Sequence, residues 1–317
     1  MTASFVTGAA GFIGSALVDG LLSEGHLVVG YDNFSSGREA FLEKAFAHPN
    51  FKLARGDISD ETALESAMKG SDVVWHLSAN ADVRFGLEHP QKDLIENTIG
   101  TFKVLEAMRR NDVRDIIFSS TGSVYGEATV IPTPEDAPFP IQTSLYASSK
   151  LSGEALISSY CHGYGFRGVV FRFVSMLGER YTHGHIFDFV KHLLKEPRSL
   201  PVLGDGTQRK SYLYVKDCIE AMLKVSSKMP DCFEVFNLGA DEYCTVLDSI
   251  GWITSFMKLS PKLEFSGGDR GWVGDNPFIF LDTSKIRSLG WSNSLSIRQG
   301  VERTVQWLLD NRWILER

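Results

Sequence analysis

Cysteine is scarce in this 317-residue sequence, and its four cysteines lie far apart. Cys161, Cys218, Cys232 and Cys244 form no C-x-x-C pair, so the sequence predicts neither a zinc site nor a redox dithiol. Runs of about 18 apolar residues are absent, and the first residues carry no basic segment followed by a long apolar stretch. We therefore expect a cytoplasmic protein with free thiols, without a metal or a membrane partner.

An excess of positive charge is also absent. The sequence has 32 Lys and Arg against 39 Asp and Glu, which gives a net charge of −7 and a pI near 5.7. A nucleic-acid backbone or an anionic membrane surface would require a positive field, so we expect neither as a partner. The length allows one large α/β unit with an appended lobe, or two domains.

Short apolar runs alternate with amphipathic stretches along the first half of the chain. The predicted strands are Ser4–Val6, Leu27–Tyr31, Phe51–Ala54, Val73–Leu77, Asp115–Ser119, Gly168–Phe173 and Val235–Gly239. The predicted helices are Ile13–Ser23, Glu61–Met68, Leu94–Arg110, Ser144–Tyr160, Phe187–Lys195, Val215–Val225 and Leu295–Asn311. Alternation of strand and helix predicts an α/β fold with a Rossmann-type doubly wound parallel sheet and a smaller C-terminal substrate-binding lobe. We assign 1–174, to which 212–240 returns, to the doubly wound domain, and 175–211 and 241–317 to the smaller lobe.

A glycine-rich segment follows the first strand and opens the first helix. Gly8, Gly11 and Gly14 would permit a tight turn and a close approach of the backbone to a pyrophosphate, which the N-terminus of the helix would attract. An ordinary strand-to-helix turn is the competing interpretation. The second strand ends at Asp32, whose carboxylate would accept hydrogen bonds from an adenosine ribose and repel a 2′-phosphate, which favours NAD over NADP.

Tyr146 and Lys150 are spaced to share one face of a helix, one turn apart. A nearby ammonium and a cationic nicotinamide would lower the pKa of the tyrosine, so that its phenolate could take a proton from a sugar hydroxyl as hydride leaves the carbon. Taken alone, the pair is more typical of a helix surface. Thr121 and Ser123 follow the fifth strand, where their hydroxyls could hold a substrate or bond to local backbone.

Four segments together carry a resemblance to a known family, namely Thr7–Gly14, His76–Ala79, Ser120–Gly126 and Tyr146–Lys150. They resemble the extended short-chain dehydrogenase/reductases that act on nucleotide sugars, and most of all the UDP-hexose 4-epimerases. The resemblance implies that Tyr146 is the acid/base, that Lys150 binds the nicotinamide ribose, and that Thr121 assists. It implies tightly bound NAD, regenerated in each turnover, and C4 epimerisation of a UDP-sugar through a 4-keto intermediate. It also implies that the doubly wound domain is the NAD-binding domain and that the smaller lobe binds the nucleotide sugar.

The resemblance also implies two sets of binding residues. We expect the cofactor to contact Gly8, Gly11, Phe12, Ile13, Gly14, Asp32, Asn33, Ser36, Gly37, Asp57, Ile58, Leu77, Ser78, Ala79, Tyr146 and Lys150. For Asp57, capping of the following helix is an equal alternative. We expect the substrate to contact Arg84, Ser123, Ser175, Val202, Lys210, Tyr212, Arg270, Asp275 and Ile279.

Several positions bear on the reaction and on the sugar. The family's dehydratases have carboxylates where this sequence has Gly122 and Ser123, which favours epimerisation over dehydration. Ile279 stands where the resemblance would place a bulky Tyr in epimerases restricted to glucose and galactose. We therefore predict that UDP-N-acetylglucosamine (UDP-GlcNAc) is accepted and converted to UDP-GalNAc, and that UDP-glucose and UDP-galactose (UDP-Glc/UDP-Gal) are accepted alongside it.

Three alternatives remain at this point. UDP-glucuronate would be the substrate if Arg84, Arg180 and His183 held its C6 carboxylate. A net-redox 4-ketoreductase and a non-catalytic NAD-sensing module are the others. The resemblance further implies a homodimer formed by the helical stretches 94–110 and 144–160, although apolar residues such as Phe102 and Val104 could equally be core.

Overall fold

The computed structural model describes residues 1–80, 88–138, 141–271 and 275–316. Its strands are β1 (Ala3–Thr7), β2 (Leu27–Asp32), β3 (Phe51–Arg55), β4 (Val73–His76), β5 (Asp115–Thr121), β6 (Arg167–Phe173), β7 (Ser175–Leu177), β8 (Ser199–Val202), β9 (Arg209–Lys210), β10 (Tyr212–Tyr214), β11 (Phe233–Leu238), β12 (Cys244–Thr245), β13 (Lys262–Phe265) and β14 (Phe278–Ile279). Its α-helices are α1 (Phe12–Ser23), α2 (Glu43–Phe46), α3 (Glu61–Met68), α4 (Pro90–Asp93), α5 (Gly100–Arg110), α6 (Leu145–Tyr164), α7 (His185–Lys195), α8 (Val215–Ser226), α9 (Val246–Met257), α10 (Ser284–Ser288) and α11 (Ile297–Asp310).

In the described residues, seven strands form the central sheet in the order β11-β6-β5-β4-β1-β2-β3. β1 pairs in parallel with β2 and β4, and β2 and β4 pair in parallel with β3 and β5. Because all these strands run in one direction, their carboxyl ends at Thr7, Asp32, His76 and Thr121 lie along the same edge of the sheet. The predicted doubly wound α/β fold is confirmed.

The strands of this sheet are apolar because helices cover both of its faces. β4 is buried along its whole length, and Phe5, Val74, Ile116 and Phe118 belong to one core cluster. That cluster extends into α3, α5 and α6 through side chains that recur at helical spacing, namely Leu64, Met68, Val104, Leu105, Met108, Ile157 and Tyr160. The sheet therefore has a continuous apolar layer beneath its polar edge.

The longest helix of the described residues, α6, has clear local start and stop signals. Ser144 caps its first turn by accepting a hydrogen bond from the Ala147 amide, and Gly165 ends it in a left-handed conformation with φ 66°. These signals fix α6 along the chain and thereby the positions of Tyr146 and Lys150 on it.

One predicted helix differs in detail from the structure. The stretch 94–110 was predicted as a single α-helix, but Leu94–Ile99 forms a π-helical segment before α5 begins at Gly100. The wider turn is associated with buried polar groups, because the Asn97 side chain of this segment bonds to Asp93, Ser149 and the Asn80 carbonyl.

The chain divides into two compact units. The first comprises Met1–Val124, Ser144–Arg172 and Ile219–Phe236, and the second comprises Tyr125–Thr143, Phe173–Cys218 and Asn237–Arg317. Residues 125–143, 173–174, 212–218 and 237–240 thus fall in the second unit, whereas the sequence analysis assigned them to the NAD-binding domain. The functional assignment of each domain stays a prediction.

No helix among the described residues is long and apolar enough to cross a membrane. All four cysteines are free thiols, and three of them are buried.

Candidate functional site

The glycine loop of the first unit is a tight backbone turn between β1 and α1. Gly8 has φ 70°, a conformation that favours glycine, and its amide donates to the Tyr31 carbonyl at 2.9 Å. A Cβ on Gly14 would lie 1.9 Å from the Gly8 carbonyl oxygen, so the loop and the first turn of α1 are in direct contact. Gly11 precedes α1 without a side-chain cap, which suits the helix N-terminus to an anion.

Asp32 closes β2 beside this loop. Its carboxylate accepts hydrogen bonds from the Ala10 amide at 2.8 Å and the Phe34 amide at 2.7 Å. Burial raises the pKa of Asp32, against these two hydrogen bonds, which lower it. Gly37 packs against it so closely that a Cβ there would lie 2.9 Å from Asp32 Oδ1. The structure therefore brings two predicted cofactor residues, Asp32 and Gly37, to the glycine loop.

The other predicted residues after β2 and β3 differ in exposure. Asn33, Ser36 and Asp57 are exposed, and Ile58 is buried. Asn33 donates to Asp57 through its side chain at 2.6 Å. The following helix is capped by Asp60, not by Asp57, because the Asp60 carboxylate accepts from the Ala63 amide. Asp57 is thus available for a role other than the N-cap.

A buried hydrogen-bond chain lies beneath the turn that follows β4. The amides of Leu77 and Ser78 both donate to Thr7 Oγ1, at 3.1 and 3.2 Å. Thr7 Oγ1 also lies 2.8 Å from His76 Nδ1, and His76 Nε2 lies 3.0 Å from Thr101 Oγ1. Burial lowers the pKa of His76 to about 3, so the ring is neutral and serves as a polar connector. This chain fixes the turn that carries Leu77, Ser78 and Ala79.

Thr121, Tyr146 and Lys150 come together at the carboxyl end of β5. Lys150 is buried, and its Nζ donates to the Ser119 carbonyl at 2.8 Å. Burial lowers the pKa of Lys150 to about 7. Burial and the charge of Asp93 raise the pKa of Tyr146, whereas a hydrogen bond with Thr121 lowers it. The pKa of Lys150 therefore lies close to neutral pH, while the pKa of the Tyr146 phenol, four residues earlier on the same helix, is raised.

Ser123 lies immediately after this group in a single 3-10 turn, and its backbone amide donates to Thr121 Oγ1 at 3.1 Å. The local backbone bond that the sequence analysis weighed for these hydroxyl residues is therefore present at Thr121. Because the same oxygen retains its hydroxyl hydrogen, Thr121 can also donate to a neighbouring oxygen.

A second polar cluster belongs to the second unit. Lys210 Nζ donates to Asp275 Oδ1 at 2.9 Å and also to the Asn276 carbonyl. Arg270 donates to the Asp275 carbonyl at 2.9 Å and pairs with Glu127 at 2.8 Å. Burial lowers the pKa of Lys210, while Asp275 opposes that effect. Two cations, Lys210 and Arg270, are therefore held around Asp275, with Glu127 as a second carboxylate on Arg270.

Tyr212 is buried in the same unit and is joined to a residue that sequence reasoning missed. Its hydroxyl lies 3.3 Å from His185 Nδ1, and His185 Nε2 lies 2.9 Å from Ser249 Oγ. Burial and the charge of Lys210 lower the pKa of His185 to about 4. No short-range pattern signals this histidine, because Tyr212 and Ser249 lie 27 and 64 residues away along the chain.

The remaining predicted substrate residues differ in exposure and in their place in the strands. Ser175 is exposed and pairs with Tyr212 across β7 and β10, and Ile279 pairs with Lys210 across β14 and β9. Val202 is buried in β8. Arg84 lies outside the described residues. Arg209, next to Lys210, stacks on the Phe278 ring at 3.9 Å and does not join the Asp275 cluster.

The first unit fits a dinucleotide. Its glycine loop is a backbone cradle that a Cβ at Gly14 or Gly37 would fill, it leads into a helix N-terminus, and Asp32 stands beside it for a ribose. Tyr146 and Lys150 lie at the same sheet edge, because β1, β2 and β5 all end there.

Three comparisons with known proteins agree with this geometry. A model of the NAD dependent epimerase/dehydratase family matches residues 4–239. A UDP-glucose 4-epimerase of Mycolicibacterium smegmatis is 32% identical over 311 residues, which cover 96% of this chain and 97% of that protein.

Two solved structures resemble the whole chain. One is a UDP-galactose 4-epimerase with a TM-score of 0.88 and 35% identity, covering 98% of this chain and 100% of that chain. The other is a UDP-glucuronic acid 4-epimerase from Bacillus cereus in complex with UDP-glucuronic acid and NAD, with a TM-score of 0.89, 30% identity, and 98% and 99% coverage.

Proposed function

The chain belongs to the NAD-dependent epimerase/dehydratase family, and from that premise we propose that it inverts C4 of a UDP-sugar through a transient 4-keto sugar. The observation that carries the proposal is the group formed by Thr121, Tyr146 and Lys150 at the end of β5. It combines a phenol, a hydroxyl and a buried amine, which is the set needed to move the proton of a secondary alcohol.

We assign the proton transfer to Tyr146. NAD, when bound, supplies the hydride acceptor that C4 oxidation needs and the donor that the return step needs. The Tyr146 phenolate takes the proton of the sugar O4 hydroxyl and later returns it to O4 of the 4-keto sugar. Thr121 donates a hydrogen bond to the same oxygen, and the Lys150 ammonium stabilises the phenolate. Since the sugar presents its opposite face for the return step, C4 is inverted without net oxidation.

The turn after β5 favours epimerisation over dehydration. Elimination of water across C5 and C6 requires an acid and a base beyond Tyr146, and the positions that would supply them are Gly122 and Ser123. Neither residue carries a carboxylate. A 4-keto-6-deoxy product would contradict this part of the proposal.

We propose that the cluster around Asp275 binds the diphosphate of the nucleotide. Lys210 and Arg270 supply the positive charge, and Asp275 keeps both side chains in place through the contacts described above. Lys210 offers a point charge where arginine would offer a fork, so we expect single rather than paired hydrogen bonds to a phosphate.

For the sugar, we propose that both N-acetylated and plain hexoses are substrates. The side chain at Ile279 is shorter than a tyrosine and carries no hydroxyl, so we expect it to leave room for an N-acetyl group at C2. UDP-glucuronate is the second candidate, since the Bacillus cereus relative acts on it. Of the residues that could hold its carboxylate, His183 bonds to Thr182 and stacks beside Tyr181.

The test is to incubate the purified chain, without added cofactor, with UDP-N-acetylglucosamine, UDP-glucose and UDP-glucuronate separately, and to resolve each product from its C4 epimer. We expect UDP-N-acetylgalactosamine to form. Tyr146→Phe should retain NAD but lose turnover by roughly a hundredfold or more, because the proton acceptor is gone. Unchanged turnover in that variant would refute the assignment of the base.

The variant that tests the choice of sugar is Ile279→Tyr. We expect it to lower kcat/KM for UDP-N-acetylglucosamine by about tenfold or more while leaving UDP-glucose nearly unaffected, because the larger ring fills the space at C2. An equal loss of kcat/KM on both substrates would reject the role of Ile279 in the choice of sugar. The proposed C4 epimerisation would be unaffected by that result.

We further propose that the protein is a homodimer. Apolar side chains on the π-helical segment, α5 and the start of α6 are exposed, namely Leu94, Ile95, Ile99, Phe102 and Leu145. Ile95, Ile99 and Phe102 are spaced by four and three residues, which places them on one helix face. A two-fold pair of such faces would bury them.

A further inference from the structure

Glu154 lies on α6 one turn after Lys150 and forms a buried ion pair with Arg172. Arg172 Nη2 lies 2.7 Å from Glu154 Oε2, and Arg172 Nε lies 3.1 Å from Oε1. The Arg172 side chain is 10% exposed and the Glu154 side chain is 5% exposed. Ser120 donates a further hydrogen bond to the same carboxylate. We propose that Glu154 is a positioning residue that holds Lys150 as an ammonium against the end of β5, an inference that rests on the proposed function.

The docking of α6 on β5 supports this role. Four consecutive residues of β5 contact α6: Phe118 packs on Gly153 and Lys150, Ser119 accepts from Lys150, Ser120 donates to Glu154, and Thr121 bonds to Tyr146. Lys150 and Glu154, on consecutive turns of the helix, therefore form hydrogen bonds with the adjacent strand residues Ser119 and Ser120. A shift of the Glu154 turn along the strand would move the Lys150 turn with it.

Arg172 fixes the carboxylate from a third element. It lies on β6, the neighbour of β5 in the sheet, and it approaches Glu154 through two nitrogens. Such a forked contact restricts the carboxylate to one orientation. The Glu154 side chain is thus anchored by β5 and β6 at once, although the amine that it influences belongs to α6.

The charges around Lys150 give Glu154 a second role. From α6, the Glu154 carboxylate favours the ammonium, and from α4, Asp93 acts in the same direction. From β4, His76 is neutral, and β5 contributes only the Ser119 carbonyl and the Phe118 ring. Tyr146 lies on α6 four residues before Lys150. Since burial opposes protonation of Lys150, the Glu154 charge is the largest influence that favours it.

The experiment measures Lys150 itself. The full-length, NAD-bound chain is labelled with ¹³C at the lysine Cε, and the Lys150 signal is identified by its loss in Lys150→Met. Its shift is then followed against pH in the wild type and in Glu154→Gln, which removes the charge but keeps the shape. We expect the midpoint to fall by about one pH unit in Glu154→Gln. The high-pH limb of kcat should move down equally, with KM for the UDP-sugar little changed.

Asp115→Asn is the matched control. Asp115 on β5 forms a forked ion pair with Arg167 on β6, at 2.7 Å for both contacts, so it joins the same two strands at their other ends. We expect this variant to leave the Lys150 midpoint unchanged. An equal shift in both variants would show a general loosening of the sheet and would overturn the proposal.

A double variant covers the case in which Glu154→Gln fails to fold because Arg172 is left buried without its partner. Glu154→Leu with Arg172→Met removes both charges, and the midpoint should again fall, because the favourable charge next to Lys150 is gone. A folded variant with a wild-type midpoint would overturn the proposal. The titration needs no substrate, so it decides the role of Glu154 even if every UDP-sugar is left unconverted and the proposed function fails.

Discussion

His76 shows how a single buried side chain can serve a site without touching its ligand. It is fully buried, and its two nitrogens lie within hydrogen-bond distance of Thr7 and Thr101. Thr101 in turn donates to the Asn97 carbonyl at 2.5 Å, so one nitrogen of the ring meets a hydroxyl that acts as an acceptor. These contacts account for a neutral histidine with its proton on Nε2.

At the residue scale, this histidine predicts sensitivity to acid. Its pKa is about 3 in the folded chain and about 6.5 when unfolded, so the unfolded state binds the proton first as pH falls. The contribution of neutral His76 to the free energy of unfolding is complete above pH 6.5 and is lost as the pH falls toward 3. The loss is up to about 1.4 kcal/mol per pH unit for one proton. We expect His76→Asn to be less stable at neutral pH but to lose stability less steeply as pH falls.

The measurement is the urea midpoint of unfolding at a series of pH values. His162 is exposed, and His162→Asn is the control, which should show the wild-type slope. A His76→Asn slope equal to that of the wild type would mean that other groups cause the acid sensitivity.

At the scale of elements, the contact between the glycine loop and α1 is the most restrictive in the first unit. The helix can begin where it does only because residue 14 has no side chain, since its Cβ would overlap the Gly8 carbonyl. The helix N-terminus, the turn and the end of β2 are thereby held together around one cradle.

We therefore expect Gly14→Ala to displace the loop and to abolish retention of NAD. The measurement is the NAD released per chain on denaturation, with circular dichroism to confirm that the variant is folded. Gly251→Ala in α9 is the control, because no atom lies within 4 Å of its added Cβ. That variant should retain NAD and gain about 0.5–1 kcal/mol of stability from its higher helix propensity. Full retention of NAD by Gly14→Ala would contradict the proposed role of the loop.

At the scale of the whole molecule, the helices beside the proposed catalytic residues also carry the exposed apolar face. The sequence analysis left open whether Phe102 and Val104 are interface or core, and the structure separates them. Val104 is fully buried in the first unit, whereas Phe102 is 44% exposed. Positions two residues apart on one amphipathic helix thus point to different environments.

The homodimer proposal predicts that Phe102→Glu yields monomers. A charge at the centre of an apolar two-fold interface would meet its own copy there, at a cost in both desolvation and repulsion. Light scattering at micromolar concentration should give twice the chain mass for the wild type and the single mass for the variant. Leu289→Glu, which replaces a residue of similar exposure in the second unit, is the control and should remain dimeric. A monomeric wild type would reject the dimer.

The sequence by itself determined the features that depend on neighbours along the chain. Strand and helix periodicity predicted the sheet, and the spacing of Gly8, Gly14 and Asp32 predicted the cofactor cradle. The spacing of Tyr146 and Lys150 placed them on one face of a helix, although their roles came from the resemblance. Such patterns are local, since they follow from the geometry of a single strand, turn or helix.

Only the tertiary structure decided which buried polar groups meet. Glu154 pairs with Arg172 across 18 residues, Lys210 with Asp275 across 65, and His185 with Ser249 across 64. The Asn97 side chain of the π-helical segment likewise donates to Ser149, 52 residues away. Periodicity reveals which face of an element is buried but not what that face meets, because the partner is fixed by strand order and by packing between elements distant in the sequence.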